Sequence, residues 1–205
     1  MKSPDLWTYF YPENPLGTYE PVDNDLQGWN SETESFELAI REIEPKLIIE
    51  VGSWKGRSAI HMARLAPEAQ ILCVDTWLGD AALSGLDNPF ESSLKRIHGW
   101  PQVYFTFISN VIRHVGRERI CPLPFPSSVA AQIIEKAGLK ADLIYIDGSH
   151  EYLDVLSDID RYWPLLRSGG IMLLDDFGFR EVNKAVKERF PDVVCVREKA
   201  LVRKP

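Results

Sequence analysis

Residues 47–58 read LIIEVGSWKGRS, and this stretch decides the fold. Apolar residues lead to Glu50 at the end of a predicted buried strand, and Gly52 and Gly56 then punctuate a turn before a helix. Glycine lets a backbone turn press against a small ligand, and the helix that follows faces that ligand with unpaired N–H groups. The stretch therefore predicts a strand, a ligand-binding turn and a helix.

The same alternation of strand and helix continues along the chain. Further strands are predicted at residues 70–74, 119–123, 141–146 and 171–174, with two short strands near the C-terminus. A helix over residues 151–163 is predicted to bury Leu153, Leu156 and Ile159. This pattern is typical of an α/β fold with a mostly parallel seven-stranded sheet and helices on both faces. We predict a single domain at residues 31–205, after an N-terminal arm or lid at residues 1–30.

Acidic residues stand at the carboxyl ends of the predicted strands: Glu50, Asp75, Asp147, Asp175 and Asp176. Ligands of open α/β sheets bind beyond these strand ends. A cluster of uncompensated carboxylates is electrostatically costly, and a cation or a polyhydroxylated cofactor would relieve the repulsion. The sequence thus places the candidate site at this edge of the sheet.

Composition narrows the function classes. The net charge of -7 argues against a nucleic-acid partner, and no apolar run approaches the roughly 20 residues that span a membrane. The N-terminus lacks the pattern of a secretion signal, so a cytoplasmic location is expected. Cys73, Cys121 and Cys195 lie in or beside apolar stretches and are predicted to be reduced core residues.

The spacing of Gly52 and Gly56 is GxxxG, which differs from the GxGxxG of classical dinucleotide sites. Asp75 ends the next strand, where a carboxylate accepts hydrogen bonds from ribose hydroxyls. Trp77 follows it, and its ring either packs on an adenine face or belongs to the core. A nucleoside-containing ligand is the expectation.

Four segments resemble the motifs of class I S-adenosylmethionine-dependent methyltransferases, in order: EVGSWKGRS at 50–58, VDTWLGD at 74–80, IDGSHEY at 146–152 and GGIMLLDDF at 169–177. The last two resemble the metal-assisted O-methyltransferase branch. This branch (methyltransferase family 24) includes macrolide-sugar O-methyltransferases and cephalosporin hydroxylase-like proteins. The resemblance covers residues 31–200 and implies a Rossmann-like class I fold.

The resemblance also implies which residues bind S-adenosylmethionine. The methionine part is assigned to Glu50, Gly52, Ser53, Gly56 and Ser58, and the ribose to Asp75. Thr76, Trp77 and Asp147 are also assigned to the cofactor site. Adenine is assigned to Ser127 and Ser128, where the aspartate usual in the family is missing. Ser127 is also predicted to cap the helix that follows.

The catalytic centre is carried over in the same way. Asp147, Asp175 and Asp176 match the family's divalent-metal ligands, and hard carboxylate oxygens suit Mg²⁺. Such a cation lowers the pKa of an acceptor hydroxyl and aligns it with the methyl group. His150 is the candidate base, acting beside Asp147.

The expected function is therefore an S-adenosylmethionine-dependent, Mg²⁺-assisted O-methyltransferase acting on a hydroxyl of a small molecule or a sugar or glycan. An aromatic hydroxyl is a further candidate acceptor. Two alternatives stay open, namely a non-catalytic S-adenosylmethionine-binding protein and a hydroxylase-like oxidoreductase. A homodimer contact through the arm is a further expectation.

Overall fold

The computed structural model describes residues 6–11, 13–14, 16–79, 91–97 and 99–205. Asp80, the last residue of the second motif, and the first five residues of the predicted arm lie outside these ranges. No helix in the described part of the chain is long and apolar enough to cross a membrane.

A seven-stranded sheet forms the centre of the molecule. Its strands are β1 (Leu47–Val51), β2 (Gln70–Val74), β5 (Ile120–Leu123), β6 (Ala141–Ile146), β7 (Leu166–Leu174), β8 (Val194–Val196) and β9 (Lys199–Arg203). They lie in the order β5-β2-β1-β6-β7-β9-β8. The neighbours from β5 to β7 pair parallel, whereas β9 pairs antiparallel with both β7 and β8. This order confirms the mostly parallel seven-stranded sheet of a Rossmann-like methyltransferase fold.

Two groups of helices cover the sheet. The helices are α1 (Leu6–Phe10), α2 (Glu34–Ile43), α3 (Arg57–Leu65), α4 (Glu91–Leu94), α5 (Gln102–His114), α6 (Ser127–Lys136), α7 (Tyr152–Tyr162) and α8 (Arg180–Arg189). A small antiparallel pair, β3 (Arg96–Ile97) and β4 (Trp100–Pro101), precedes α5. Helix α3 packs against α2 and α5, whereas α7 packs against α6 and α8.

Register brings the strand ends together. Val51 of β1 lies opposite Val74 of β2 on one side and Ile146 of β6 on the other, while Ile146 lies opposite Leu174 of β7. The four strands therefore end level with one another. The loops that leave them, each carrying a predicted site residue, start from one edge of the sheet.

The arm packs along the domain. Trp7 donates from Nε1 to the Glu118 carbonyl, Asn14 donates to the Arg117 carbonyl, and Thr106 of α5 donates to Asp23.

Burial corrects one prediction about the cysteines, because Cys195 is exposed on the edge strand β8 while Cys73 and Cys121 are buried. An edge strand has a partner on one side only, so its side chains are less covered.

Candidate active site

A cavity of about 550 Å³ opens at the edge where β1, β2, β5 and β6 end. Predicted site residues that line it are Gly52, Asp75, Thr76, Ser127, Ser128, Asp147 and His150. Its lining does not include the predicted residues Glu50, Ser53, Gly56, Ser58, Trp77, Asp175 and Asp176. The structure thus brings half of the predicted residues together around one cavity, and the other half does not line it.

The glycine turn is shaped by close backbone contact. Gly52 has φ +86°, and a Cβ at this position would stand 1.9 Å from the Asp147 carbonyl oxygen. Gly56 has φ +83°, and a Cβ there would meet the ring of Phe107 at 2.9 Å. Both positions therefore require glycine, for conformation and for space.

Asp75 ties the turn to β2. Its carboxylate accepts hydrogen bonds from the backbone N–H groups of Ser53 and Trp54, each at 2.9 Å, and of Trp77 at 2.7 Å. Burial raises the pKa of Asp75, although these N–H groups act in the opposite direction. Asp75 lines the cavity and also organises the turn, and its contact with a ribose stays a prediction.

Glu50 and Ser58 form a pair beneath the turn. Glu50 is fully buried and accepts hydrogen bonds from the Ser58 hydroxyl and, at 3.4 Å, from the Cys73 thiol. Burial raises the pKa of Glu50 to about 7. Neither residue is in the cavity lining, and the pair joins β1 to α3. Their contact with the methionine part of the cofactor stays a prediction.

Trp77 belongs to the core rather than to the cavity. Its ring is 1% exposed and packs against Tyr104 and Phe107, and its Nε1 donates to the Trp54 carbonyl at 2.8 Å. Of the two places that the sequence left open for this ring, an adenine face or the core, the structure shows the core. The left-handed backbone of Trp77, with φ +51°, turns the ring inward just after Asp75.

The predicted metal triad is rearranged. Asp147, His150 and Asp176 hold ligand atoms within 4.8 Å of one another, and His150 Nε2 lies 2.8 Å from Asp176 Oδ2. Asp175 points elsewhere, because its carboxylate pairs with the buried Lys199 ammonium at 2.6 Å and accepts from the Tyr145 hydroxyl at 2.5 Å. The structure thus replaces Asp175 with His150 in the candidate metal cluster.

Buried charged groups surround this cluster and shift the pKa of Asp147. The pKa of Asp147 lies well above its ordinary range because its carboxyl is desolvated and close to Asp175. The Tyr145 hydroxyl is 2.9 Å from Asp147 and 3.2 Å from the Lys199 ammonium. The buried Lys199 ammonium offsets part of the negative charge of these carboxylates. A metal cation bound to Asp147, His150 and Asp176 would offset more of it.

Comparison with known proteins identifies the domain. A family model described as a methyltransferase domain, methyltransferase family 24, matches residues 49–177, more than half of the chain. The chain belongs to this family. The match begins in β1 and ends just after β7, so it contains the glycine turn and the Asp147, His150 and Asp176 cluster.

Two sequence relatives are longer proteins. The chain is 28% identical over 166 residues to y4gI of Sinorhizobium fredii (strain NBRC 101917 / NGR234), a match that covers 77% of this chain and 16% of that protein. It is 23% identical over 129 residues to R132 of Acanthamoeba polyphaga mimivirus, covering 63% of this chain and 50% of that protein. The chain therefore spans half or less of the length of these relatives.

Solved structures of methyltransferases share the fold of this family-24 domain. CalS11, a TDP-rhamnose 3'-O-methyltransferase of calicheamicin biosynthesis, is 17% identical with a TM-score of 0.57, covering 82% of this chain and 77% of that one. PaMTH1 of Podospora anserina, bound to S-adenosylhomocysteine, is 14% identical with a TM-score of 0.61, covering 83% and 76%. TomG of Streptomyces achromogenes, in complex with S-adenosylmethionine, is 16% identical with a TM-score of 0.56, covering 82% and 63%.

Several site residues of the family-24 domain were missed by sequence reasoning. They are Trp29 and Phe125 on the cavity wall, Asp158 of α7, and the Lys199 and Tyr145 pair under the metal cluster. Lys199 and Asp158 carried no clear signal, because Lys199 directly follows Arg197 and Glu198, and Asp158 shares a polar stretch with Ser157, Asp160 and Arg161. The aromatic residues carried none either, because their place depends on how the arm and the β5–α6 loop fold back.

Proposed function

We propose that this domain transfers a methyl group from S-adenosylmethionine to a hydroxyl of a small molecule or a sugar. The observation that carries the proposal is the single cavity lined by Gly52, Asp75, Ser127 and Asp147, with His150 at its wall. Family membership supports the cofactor. The cavity joins the glycine turn, the Asp75 carboxylate and the start of α6, where the nucleoside part of S-adenosylmethionine would lie.

The chain's own residues contribute position and charge. The turn at Gly52 and the Asp75 carboxylate orient the cofactor, and the acceptor hydroxyl would meet the methyl group beside Asp147 and His150. Asp176 holds the His150 imidazole in place through their 2.8 Å contact. Methyl transfer is a displacement at carbon, so most of the acceleration comes from aligning the two reactants.

A divalent cation fits the candidate cluster. Asp147 and Asp176 offer carboxylate oxygens and His150 offers an imidazole nitrogen. Compared with the predicted set of three carboxylates, this mixed set suits Mn²⁺ as well as Mg²⁺, because imidazole is the softer donor. A cation bound there would lower the pKa of the acceptor hydroxyl.

The acceptor class is inferred from the cavity rim. Trp29, Phe125 and Phe179 are exposed aromatic side chains near the cavity, and Phe179 packs edge-on against His150 at 5.3 Å. Aromatic faces bind the apolar faces of sugar rings and also stack on planar acceptors. CalS11 is described as acting on a TDP-linked rhamnose. We therefore place sugar hydroxyls first and aromatic hydroxyls second.

The test measures cofactor binding and product formation separately. Calorimetry with S-adenosylhomocysteine reports the cofactor site, and mass spectrometry across a panel of sugar and phenolic acceptors reports methylated product. Product should disappear with a chelator and return with Mg²⁺ or Mn²⁺. His150→Ala and Asp176→Ala should each lower turnover at least 100-fold, while Asp160→Ala, on the exposed face of α7, should leave turnover unchanged.

Each alternative has its own outcome. Binding of the cofactor with no methylated product from any acceptor would favour a non-catalytic binding protein. Turnover that survives chelation but is lost in His150→Ala would remove the cation from the proposal and leave the His150 and Asp176 pair as the base. An acceptor that gains oxygen instead of a methyl group would favour the hydroxylase-like reaction.

A further inference from the structure

Asp158 is a buried carboxylate on the cavity side of α7. It is 5% exposed and stands between Val155 and Ile159, two core residues of the same helix. Within the described ranges it forms no ion pair, and burial raises its pKa to about 6. Burying a carboxylate without a cation is costly, so such a group points to a binding role.

Neighbouring side chains hold this carboxylate in one orientation. The Ser127 hydroxyl donates to Asp158 Oδ1 at 2.6 Å, and the Tyr162 hydroxyl donates to the Ser127 carbonyl at 2.9 Å. Ser127 was predicted to cap α6, but its side chain makes no capping hydrogen bond and serves Asp158 instead. The second oxygen, Oδ2, lies 3.6 Å from the position of a Cβ on Gly148, a residue of the cavity wall.

Asp158 lies where the sequence motifs lack an expected acidic residue. The segment Pro126-Ser127-Ser128 lacks the acidic residue expected beside adenine. The structure brings a carboxylate to the same segment from a different element, α7, and both line the cavity that contains Asp75. Because β5 lies next to β2, a nucleoside whose ribose meets Asp75 extends toward the start of α6.

We propose that Asp158 accepts a hydrogen bond from the exocyclic amino group of the cofactor's adenine, with Ser127 as the residue that positions it. An ionised carboxylate only accepts hydrogen bonds, so it selects a ligand edge that carries a donor. The inference deepens the proposed function and rests on S-adenosylmethionine being the cofactor.

The experiment compares two ligands on matched variants by calorimetry. One ligand is S-adenosylhomocysteine, and the other is its 6-deamino analogue, in which hydrogen replaces the amino group. The wild-type protein should prefer S-adenosylhomocysteine at least tenfold, as expected for a hydrogen bond to a charged group. In Asp158→Leu, which fills the same space without an acceptor, the preference should fall below threefold. Asp160→Asn, an exposed control on the same helix, should keep it.

The ratio of affinities separates recognition from general damage, because distortion of the cavity weakens both ligands alike. If Asp158→Leu does not fold, Asp158→Asn and Ser127→Ala serve instead, and each should reduce the preference by at least threefold. A preference that stays at the wild-type value in the folded variants overturns the role of Asp158. Failure of the wild-type protein to bind S-adenosylhomocysteine overturns the proposed function, and this inference with it.

Discussion

At the scale of single residues, Gly52 shows how completely one position can constrain the site. Its left-handed backbone and the nearby Asp147 carbonyl leave no room for a side chain. The constraint joins the end of β1 to the end of β6, so the glycine turn and the loop that carries Asp147 stay in close contact. The turn that the sequence predicted to face a ligand is therefore also a close backbone contact between two strand ends.

Glu50 provides a prediction about pH. Its folded-state pKa of about 7 exceeds the ordinary value of 4.5, so the native state binds the extra proton more tightly than the unfolded state does. The free energy of unfolding should therefore fall as pH rises through this window. Relative to the wild type, Glu50→Gln should gain about 2 kcal/mol between pH 5 and pH 8. Urea unfolding at both pH values measures this difference.

Glu37→Gln is the control, because Glu37 is exposed on α2 and lies away from the turn. It should follow the wild-type pH dependence. Parallel curves for the wild type and Glu50→Gln would mean that Glu50 titrates as it does in the unfolded chain, and would contradict the prediction.

At the scale of elements, the N-terminal arm contacts the glycine turn at Gly52–Gly56 from outside. Asp25 pairs with the Lys55 ammonium at 2.6 Å, and Gln27 accepts a hydrogen bond from Trp54 Nε1 at 2.8 Å. Asn110 of α5 donates to the carbonyls of both Asp25 and Lys55 at 2.8 Å. The arm therefore contributes to the shape of the site whether or not it also moves as a lid.

Asp25→Asn should weaken the binding of S-adenosylhomocysteine severalfold. Lys55 is 4% exposed, so its ammonium would lose its charge partner while it remains buried. Because Asp25 itself is half exposed, the loss of unfolding free energy should be modest, about 1 kcal/mol. Calorimetry and urea unfolding measure the two effects. The double variant Asp25→Asn with Lys55→Met should recover stability, and Glu20→Gln on the same arm should change neither value.

Helix α7 illustrates where periodicity misleads. The spacing of apolar residues predicted a buried face with Leu153, Leu156 and Ile159, but Leu153 is 74% exposed. The face that packs inward instead contains Val155, Leu156, Asp158, Ile159 and Tyr162. The helix is rotated so that Asp158 meets Ser127 and the cavity, a contact between elements that helical spacing alone does not encode.

At the scale of the whole molecule, the antiparallel strand β9 completes the site from the far end of the chain. It lies beside β7 and places Lys199 within 2.6 Å of Asp175 and 3.2 Å of the Tyr145 hydroxyl. The Lys199 ammonium also lies over the rings of Phe36 and Tyr145. One residue near the C-terminus thus links β6, α2 and the segment after β7 beneath the candidate metal cluster.

Lys199→Met should destabilise the fold by about 3 kcal/mol or more, because it leaves the Asp175 carboxylate buried without its cation. The double variant Lys199→Met with Asp175→Leu should recover part of this loss, since neither charge remains. Urea unfolding measures both. Lys204→Met is the comparison and should lower the free energy of unfolding by less. Lys204 donates to the Trp163 and Leu166 carbonyls, and it forms no ion pair within the described residues. Equal losses in the two single variants would contradict a special role for the buried pair.

The sequence by itself determined the order of the seven sheet strands, the glycine turn and the edge of the sheet where the acids collect, but not helix α1 or the β3–β4 pair. These features follow from local patterns, because apolar runs, glycines and strand-end acids can be recognised from short stretches of consecutive residues. Only the tertiary structure decided which acids face the cavity. Asp175 and Asp176 are neighbours in sequence, yet Asp175 turns to Lys199 of β9 while Asp176, with φ +52°, turns to His150. Asp158 reaches the cavity from α7 in the same way, since partners distant in the chain and the packing of whole elements set the direction of each side chain.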